Sequence, residues 1–219
     1  MMRAVIFDLD DTLVDQVTAS GAAVAAWAAT VGVTGPDVRA RWAAVSERHY
    51  ARYQSREITF AGQRRERVRE FLAADLTDAE ADALFAGYLE RYEAGWTIFD
   101  DAIPALRRVR AAGLTAAVLT NGDEGQQRRK LDRLGLSSEI DVLVASSSLP
   151  AGKPDPRAFR HVVDLLGLSP AAALMVGDSL EKDVRGALAA GLPAVLLDRS
   201  GAHPGVEVRR IGSLAELTF

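Results

Sequence analysis

The residues of this chain best suited to chemistry come early. A short apolar run, Ala4-Val5-Ile6-Phe7, is followed by Asp8-Leu9-Asp10-Asp11-Thr12. The run reads as a strand buried on both faces, so the acids arrive at its carboxyl end, where open α/β sheets bind ligands. Two carboxylates two residues apart, with a hydroxyl two further on, suit phosphoryl transfer assisted by a hard divalent cation. One carboxylate can attack, the other can carry a proton, and backbone carbonyls help hold the cation.

Matching parts recur downstream. Thr120-Asn121-Gly122 follows the apolar run Leu114 to Leu119, Lys153 stands in a Gly-Lys-Pro loop, and Gly177-Asp178-Ser179 follows Leu174-Met175-Val176, with Asp183 shortly after. Each alone reads as ordinary structure: a strand-to-helix turn, a solvated loop, a helix cap, a charge complementing a helix dipole. Together, at the ends of successive strands, they form the set that phosphoryl transfer needs. Acids hold a metal, and a lysine and a threonine neutralise and orient phosphoryl oxygens.

The elements that must position these residues fall into two grammars. Residues 16–95 read as helices only. Val17, Val24, Trp27, Ala28 and Val31 share one helical face, and Pro36 is placed at the first position of a second helix carrying Val38, Trp42, Val45, His49 and Tyr53. A third helix near Thr59 is expected to bury Ala61, Val68, Phe71 and Leu72. A fourth opens at the capping box Thr77-Asp78-Ala79-Glu80, with Ala81, Leu84, Phe85, Tyr88 and Tyr92 inward and Gly95 as its stop. Beyond about residue 100, helices alternate with short β-branched strands, giving four strands after the first: Leu114–Leu119, Val142–Ala145, Leu174–Val176 and Ala194–Leu197. Leu131 and Leu134, then Val184, Ala187 and Leu188, mark inward faces of intervening helices, and Ser213 caps a last short one. The expected fold is α/β: a doubly wound, Rossmann-like parallel-sheet core made of 1–15 and 96–219, with a four-helix-bundle cap, 16–95, inserted after the first strand.

Composition excludes several alternatives. The chain has 219 residues, 48% hydrophobic and 26% charged, with a net charge of −4 and no cysteine. Nothing there calls for nucleic acid or a membrane surface, and thiolate chemistry and disulfides are ruled out. No signal peptide precedes the first strand and no apolar stretch is long enough to span a bilayer, so a cytoplasmic protein is expected, a monomer or weak homodimer acting on a small-molecule phosphate ester. The chain lacks a Gly-x-Ser-x-Gly elbow, a phosphate-binding P-loop and a Gly-x-Gly-x-x-Gly fingerprint.

The motifs resemble those of the haloacid dehalogenase superfamily, most of whose members are phosphatases. Asp8-Leu9-Asp10-Asp11-Thr12, Thr120, Lys153-Pro154, and Gly177-Asp178-Ser179 with Asp183 match its four motifs in order. The helical insertion is similar to the family's four-helix cap type. Leu119-Thr120-Asn121-Gly122-Asp123 and Gly177-Asp178-Ser179-Leu180-Glu181 resemble the branch holding N-acylneuraminate-9-phosphatase and pyrimidine 5′-nucleotidases. The resemblance implies that Asp8 attacks phosphorus and becomes an aspartyl phosphate. Asp10 protonates the leaving alcohol and then activates water. Asp8, the backbone carbonyl of Asp10, and Asp178 hold Mg²⁺, with Thr12, Ser179 and Asp183 at or just behind the metal. Thr120 and Lys153 bind phosphoryl oxygens, assisted by amides near Leu9, Asp10 and Asn121.

Alternatives on the same residues are a sugar phosphomutase and, from a different class, a non-catalytic phosphoacceptor. Asp10 argues against dehalogenation, because a halide leaves without a proton. A phosphonatase needs a cap lysine, whereas the lysines here are Lys130, Lys153 and Lys182. Substrate choice is expected in the cap. Its ten arginines stand against eleven acids and read mostly as a salt-bridged surface. Arg52, Tyr53 and Arg56 are the candidate substrate contacts there, while His49 reads as packing.

Overall fold

The computed structural model describes residues 1–219, and the chain divides into two compact units, Met1–Asp15 with Thr97–Phe219, and Gln16–Trp96. Trp96, buried edge-on against Tyr92, goes with the helical unit.

The first unit is a six-stranded, wholly parallel sheet. Its strands are β1 (Ala4–Phe7), β2 (Thr115–Thr120), β3 (Val142–Ala145), β4 (Ala173–Gly177), β5 (Ala194–Leu197) and β6 (Arg210–Ile211), in the order β3-β2-β1-β4-β5-β6. Strands β1 to β5 were legible as apolar runs, with β2 displaced by one residue. The two-residue β6 was not, because Arg210-Ile211 has no run of its own and is a strand only through Leu196 and Leu197 beside it. Alternation along the strands builds two cores. Val5, Phe7, Val118 and Val176 face one layer, with Leu106 and Val109 of α5 (Ala102–Ala111) and Leu131 of α6 (Glu124–Arg133). Ala4, Ile6, Leu119 and Met175 face the other, with Phe159 and Val162 of α7 (Pro156–Leu165) and Ala187 of α8 (Gly186–Ala189). Helices on both faces of a parallel sheet are the doubly wound arrangement, and β1 is its switch point: the chain goes to β2 on one side and later to β4 on the other. The carboxyl end of β1 therefore opens into a crevice flanked by the ends of both neighbours.

The helix expected around Val184 to Leu188 is in fact a wide π-helical turn, Leu180–Arg185, running into the short α8. Leu188 lies on the outer side and is exposed, whereas Val184 and Ala187 are buried.

The helical unit contains α1 (Gln16–Thr30), α2 (Val38–Gln54), α3 (Phe60–Leu72) and α4 (Asp78–Ala94). Its interior is aromatic: Trp27 and Trp42 lie 5.2 Å apart by ring centroids, Trp42 and Tyr88 4.6 Å, and Trp42 and Phe71 5.2 Å edge-on. The capping box at Thr77 forms as written, with the Thr77 amide donating to Glu80 at 2.8 Å and the Glu80 amide to the Thr77 hydroxyl at 3.3 Å. Several stripe assignments shift. Val17 and Ala61 are exposed, Leu72, Leu84 and, in α6, Leu134 only half-buried, and Gln63 is buried on α3 instead. Pro36 sits in a turn before the N-cap Asp37 rather than in the first helical turn. These are the edges of amphipathic stripes, where one residue of rotation moves a side chain between core and water. No helix is long and apolar enough to cross a membrane.

Candidate active site

The loop after β1 carries the first acids and is bent back sharply. The Leu9 carbonyl accepts from the amides of Leu13, 2.9 Å, and Val14, 3.0 Å, and Asp11 adopts φ 64° while its amide donates to Val14 at 2.7 Å. That left-handed conformation suits Asp better than bulky or β-branched residues. The Leu9 side chain is packed in the core, so only its backbone can serve a ligand. Arg199 braces the loop from behind: it donates to the Thr12 carbonyl at 3.0 Å while forking onto Asp101 at 2.8 and 2.7 Å.

The residues singled out from the sequence meet at the end of the sheet. Lys153 Nζ donates to Asp8 Oδ1 at 2.5 Å and to Asp183 Oδ1 at 2.6 Å, in buried surroundings. Asp183 Oδ2 accepts from the Ser179 amide at 3.0 Å, so both its oxygens are engaged. The Thr12 hydroxyl lies 3.4 Å from Asp178 Oδ1 and accepts from the Asp178 amide at 3.1 Å. The Ser179 hydroxyl accepts from the Lys182 amide at 3.2 Å and so caps the π-helical turn that brings Asp183 round. Gly177 is what makes room: a Cβ there would lie 2.3 Å from an Asp183 carboxylate oxygen. Lys153 is held through its backbone, because the side chain of Asn121 donates to its carbonyl at 2.7 Å and accepts from its amide at 2.8 Å.

Charge in this cluster is unbalanced. The carboxylates of Asp8, Asp178 and Asp183 lie within 4.8 Å of one another, and Lys153 is the ammonium among them. Burial pushes the Asp8 carboxyl well above the carboxylate range, Lys153 pulls it down, and Asp183 and Asp178 add to the rise. Burial, then the charges of Asp183 and Asp11, push Asp178 up to about 7. Lys153 shows the converse: burial opposes its charge, but Asp183 and Asp8 outweigh that and raise its pKa. A set of hard oxygen donors that repel one another until some are protonated is the environment a divalent cation relieves. Asp178 is the freer ligand, since Asp183 already spends its oxygens on Lys153 and Ser179.

Thr120, at the end of β2, is buried, and its hydroxyl oxygen accepts from Gln127 Nε2 at 3.0 Å. The same amide donates to Asp10 Oδ2 at 2.9 Å, and Lys130 Nζ donates to Asp10 Oδ1. Gln127 and Lys130, both on α6 and both buried, were not among the residues singled out from the sequence. One signal was present: Gln127 stands four residues before Leu131, on the inward stripe, where a polar residue needs a buried partner. In the helical unit, Arg52 is engaged with Glu57 at 2.7 Å and with His49 at 3.2 Å, Tyr53 is buried, and the Arg56 guanidinium lies 5.9 Å from the Tyr53 ring. His49 also pairs with Glu70 at 2.7 Å, so its buried position is polar as well as packed.

The comparisons with known proteins agree with this geometry. A family model described as haloacid dehalogenase-like hydrolase matches residues 2–191. The chain is 34% identical to a phosphoserine phosphatase of Thermus thermophilus over 99% of this chain and 98% of that one. It is 43% identical to the N-acylneuraminate-9-phosphatase of Rattus norvegicus over 40% of this chain and 36% of that one. Among solved structures, the magnesium-bound HAD-hydrolase YfnB of Bacillus subtilis superposes with a TM-score of 0.80 at 22% identity, covering 98% of this chain and 96% of that one, a likeness of fold. With its motif residues gathered at the switch point and near full-length similarity to a phosphatase, the chain belongs to the haloacid dehalogenase-like hydrolase family and is a phosphoric monoester hydrolase within it.

Proposed function

We propose that the protein is a Mg²⁺-dependent phosphatase that hydrolyses a small-molecule phosphate monoester through an aspartyl phosphate on Asp8. The observation that carries this reading is the position of the Asp8 carboxylate: at the carboxyl end of β1, 2.5 Å from the ammonium of Lys153 and beside Asp178 and Asp183. Asp8, the backbone carbonyl of Asp10 and Asp178 are the groups to hold the cation. When bound, the cation offsets the repulsion between carboxylates and phosphate dianion and polarises the phosphoryl group.

The chain's own residues account for the rest. An Asp8 oxygen attacks phosphorus as the ester P–O bond breaks. Lys153 and the Thr120 hydroxyl bind the phosphoryl oxygens, the former as a buried charge and the latter as a donor, because its oxygen already accepts from Gln127. Amides near Leu9, Asp10 and Asn121 add further donors. Asp10 gives its proton to the departing alkoxide, then takes one from the water that attacks the phosphoenzyme, which restores Asp8 and releases phosphate. Asp183, itself held by the Ser179 amide, keeps Lys153 in place, and the Thr12 hydroxyl holds Asp178.

The test is phosphate release across sugar phosphates, nucleoside monophosphates and small phosphorylated acids, with Mg²⁺ and with excess chelator. Release that depends on Mg²⁺ and is lost in Asp8→Asn supports the reading. A folded protein that hydrolyses none of these esters, or one fully active in chelator, refutes it.

A further inference from the structure

The α6 helix presents an unusual inner face. Lys130 is fully buried, 0% exposed, and Gln127, one turn earlier, is 2% exposed. Lysine is rarely buried without a partner, and here the partner is Asp10, 120 positions away in sequence. The two α6 side chains grip different atoms of one carboxylate: Lys130 donates to Asp10 Oδ1, and Gln127 donates to Oδ2 at 2.9 Å. The fold leaves space for this contact. A Cβ at Gly122 would lie 2.7 Å from Gln127 Nε2, so the loop after β2 admits the amide only because that residue is glycine.

We propose that Gln127 and Lys130 are positioning residues for Asp10, fixing the plane and direction of its carboxylate for both proton transfers. The proposal rests on the acid–base role given to Asp10 above. Each carboxylate oxygen has two acceptor positions. One donor on each oxygen leaves one position on each for the travelling proton, so the grip orients the group without blocking it. The second hydrogen of the Gln127 amide goes to the Thr120 hydroxyl oxygen at 3.0 Å. That bond turns the Thr120 proton outward and couples the phosphate donor to the acid–base residue through one side chain. A buried ion pair serving stability alone would need neither the amide on the second oxygen nor the link to Thr120.

The experiment compares 4-nitrophenyl phosphate with phenyl phosphate, which are nearly the same size but differ strongly in how much their leaving group needs a proton. The values compared are kcat/KM with Mg²⁺ for the wild type, Asp10→Asn, Lys130→Met, Gln127→Met and the double variant Asp10→Asn/Lys130→Met. Lys130→Met should lose at least tenfold more with phenyl phosphate than with 4-nitrophenyl phosphate, and Gln127→Met should lose in the same direction, less steeply. The double variant should be no slower than Asp10→Asn alone, because Lys130 acts through Asp10. Equal slowing of both esters by Lys130→Met, or losses that multiply in the double variant, would reduce Lys130 to a structural residue and overturn the proposal. If Asp10→Asn itself fails to discriminate between the esters, the acid–base reading of Asp10 falls, and the proposal with it. Should Lys130→Met not fold, Gln127→Met carries the same comparison, and a loss equal for both esters would overturn the proposal on its own.

Discussion

Asn121 holds Lys153 at both of its backbone groups, donating to its carbonyl at 2.7 Å and accepting from its amide at 2.8 Å. The side chain at the end of β2 thus sets the position of a loop 32 residues further on, and with it the buried ammonium between Asp8 and Asp183. Asn121→Ala removes both bonds and leaves two backbone groups in need of partners. The expected loss is about 1–3 kcal/mol of stability and a fall in kcat on the order of tenfold or more, as Lys153 drifts from Asp8. Thermal unfolding and steady-state kinetics check this. Unchanged kcat would mean that the loop holds itself.

Asp8→Asn tests the nucleophile. The amide is nearly isosteric, so fold and melting temperature should be little changed, or raised, because the buried carboxyl is costly in the metal-free protein. Turnover should disappear. Steady-state hydrolysis by a purified variant at more than a trace of the wild-type rate would assign the nucleophile elsewhere.

Gly177→Ala tests the packing that admits Asp183. A methyl group would meet the Asp183 carboxylate at 2.3 Å, so Asp183 must move, taking with it the bonds from Lys153 and Ser179. Activity should fall at least a hundredfold, and Mg²⁺ affinity, read by calorimetry, should weaken. Wild-type affinity and rate in this variant would show that Asp183 has no part in either.

The acid cluster makes stability depend on pH and metal together. In the metal-free protein burial and Asp183 push Asp178 up to about 7, against 3.8 for the ordinary side chain. Between these values the folded protein holds a proton that the unfolded chain has released. Stability is therefore greatest below about 4 as far as this group is concerned. It falls by up to about 1.4 kcal/mol per pH unit across the window and levels off above 7. Asp8, also raised by burial, acts in the same direction. Because a cation binds the ionised acids, Mg²⁺ should raise the melting temperature clearly at pH 8 and little at pH 5. Equal shifts at the two pH values, measured against chelator, would contradict this account.

What the sequence determined by itself was local. Apolar runs of three to six residues marked β1 to β5, and the polar residues at the ends of β1, β2 and β4 marked the crevice, because a strand's direction and its carboxyl end are properties of the chain segment alone. Thr77-Asp78-Ala79-Glu80 declared a helix start for the same reason: the capping bonds span three residues. The edges of helical stripes, such as Val17 and Leu188, were not decided locally, since exposure there depends on what packs across from them. Nor was β6, which exists by pairing. Gln127 and Lys130 show the limit most clearly. On a helix of mean polar character Lys130 looks like a solvated residue, and only the place of Gln127 on the inward stripe hints otherwise; Lys130 becomes a buried partner of Asp10 only when parallel pairing of β1 and β2 carries α6 to the end of the first strand. Sequence spacing names the groups that can do chemistry. Which of them share a carboxylate is settled by sheet order and helix rotation, because hydrogen bonds act over about 3 Å and only tertiary structure brings positions 120 residues apart within that reach.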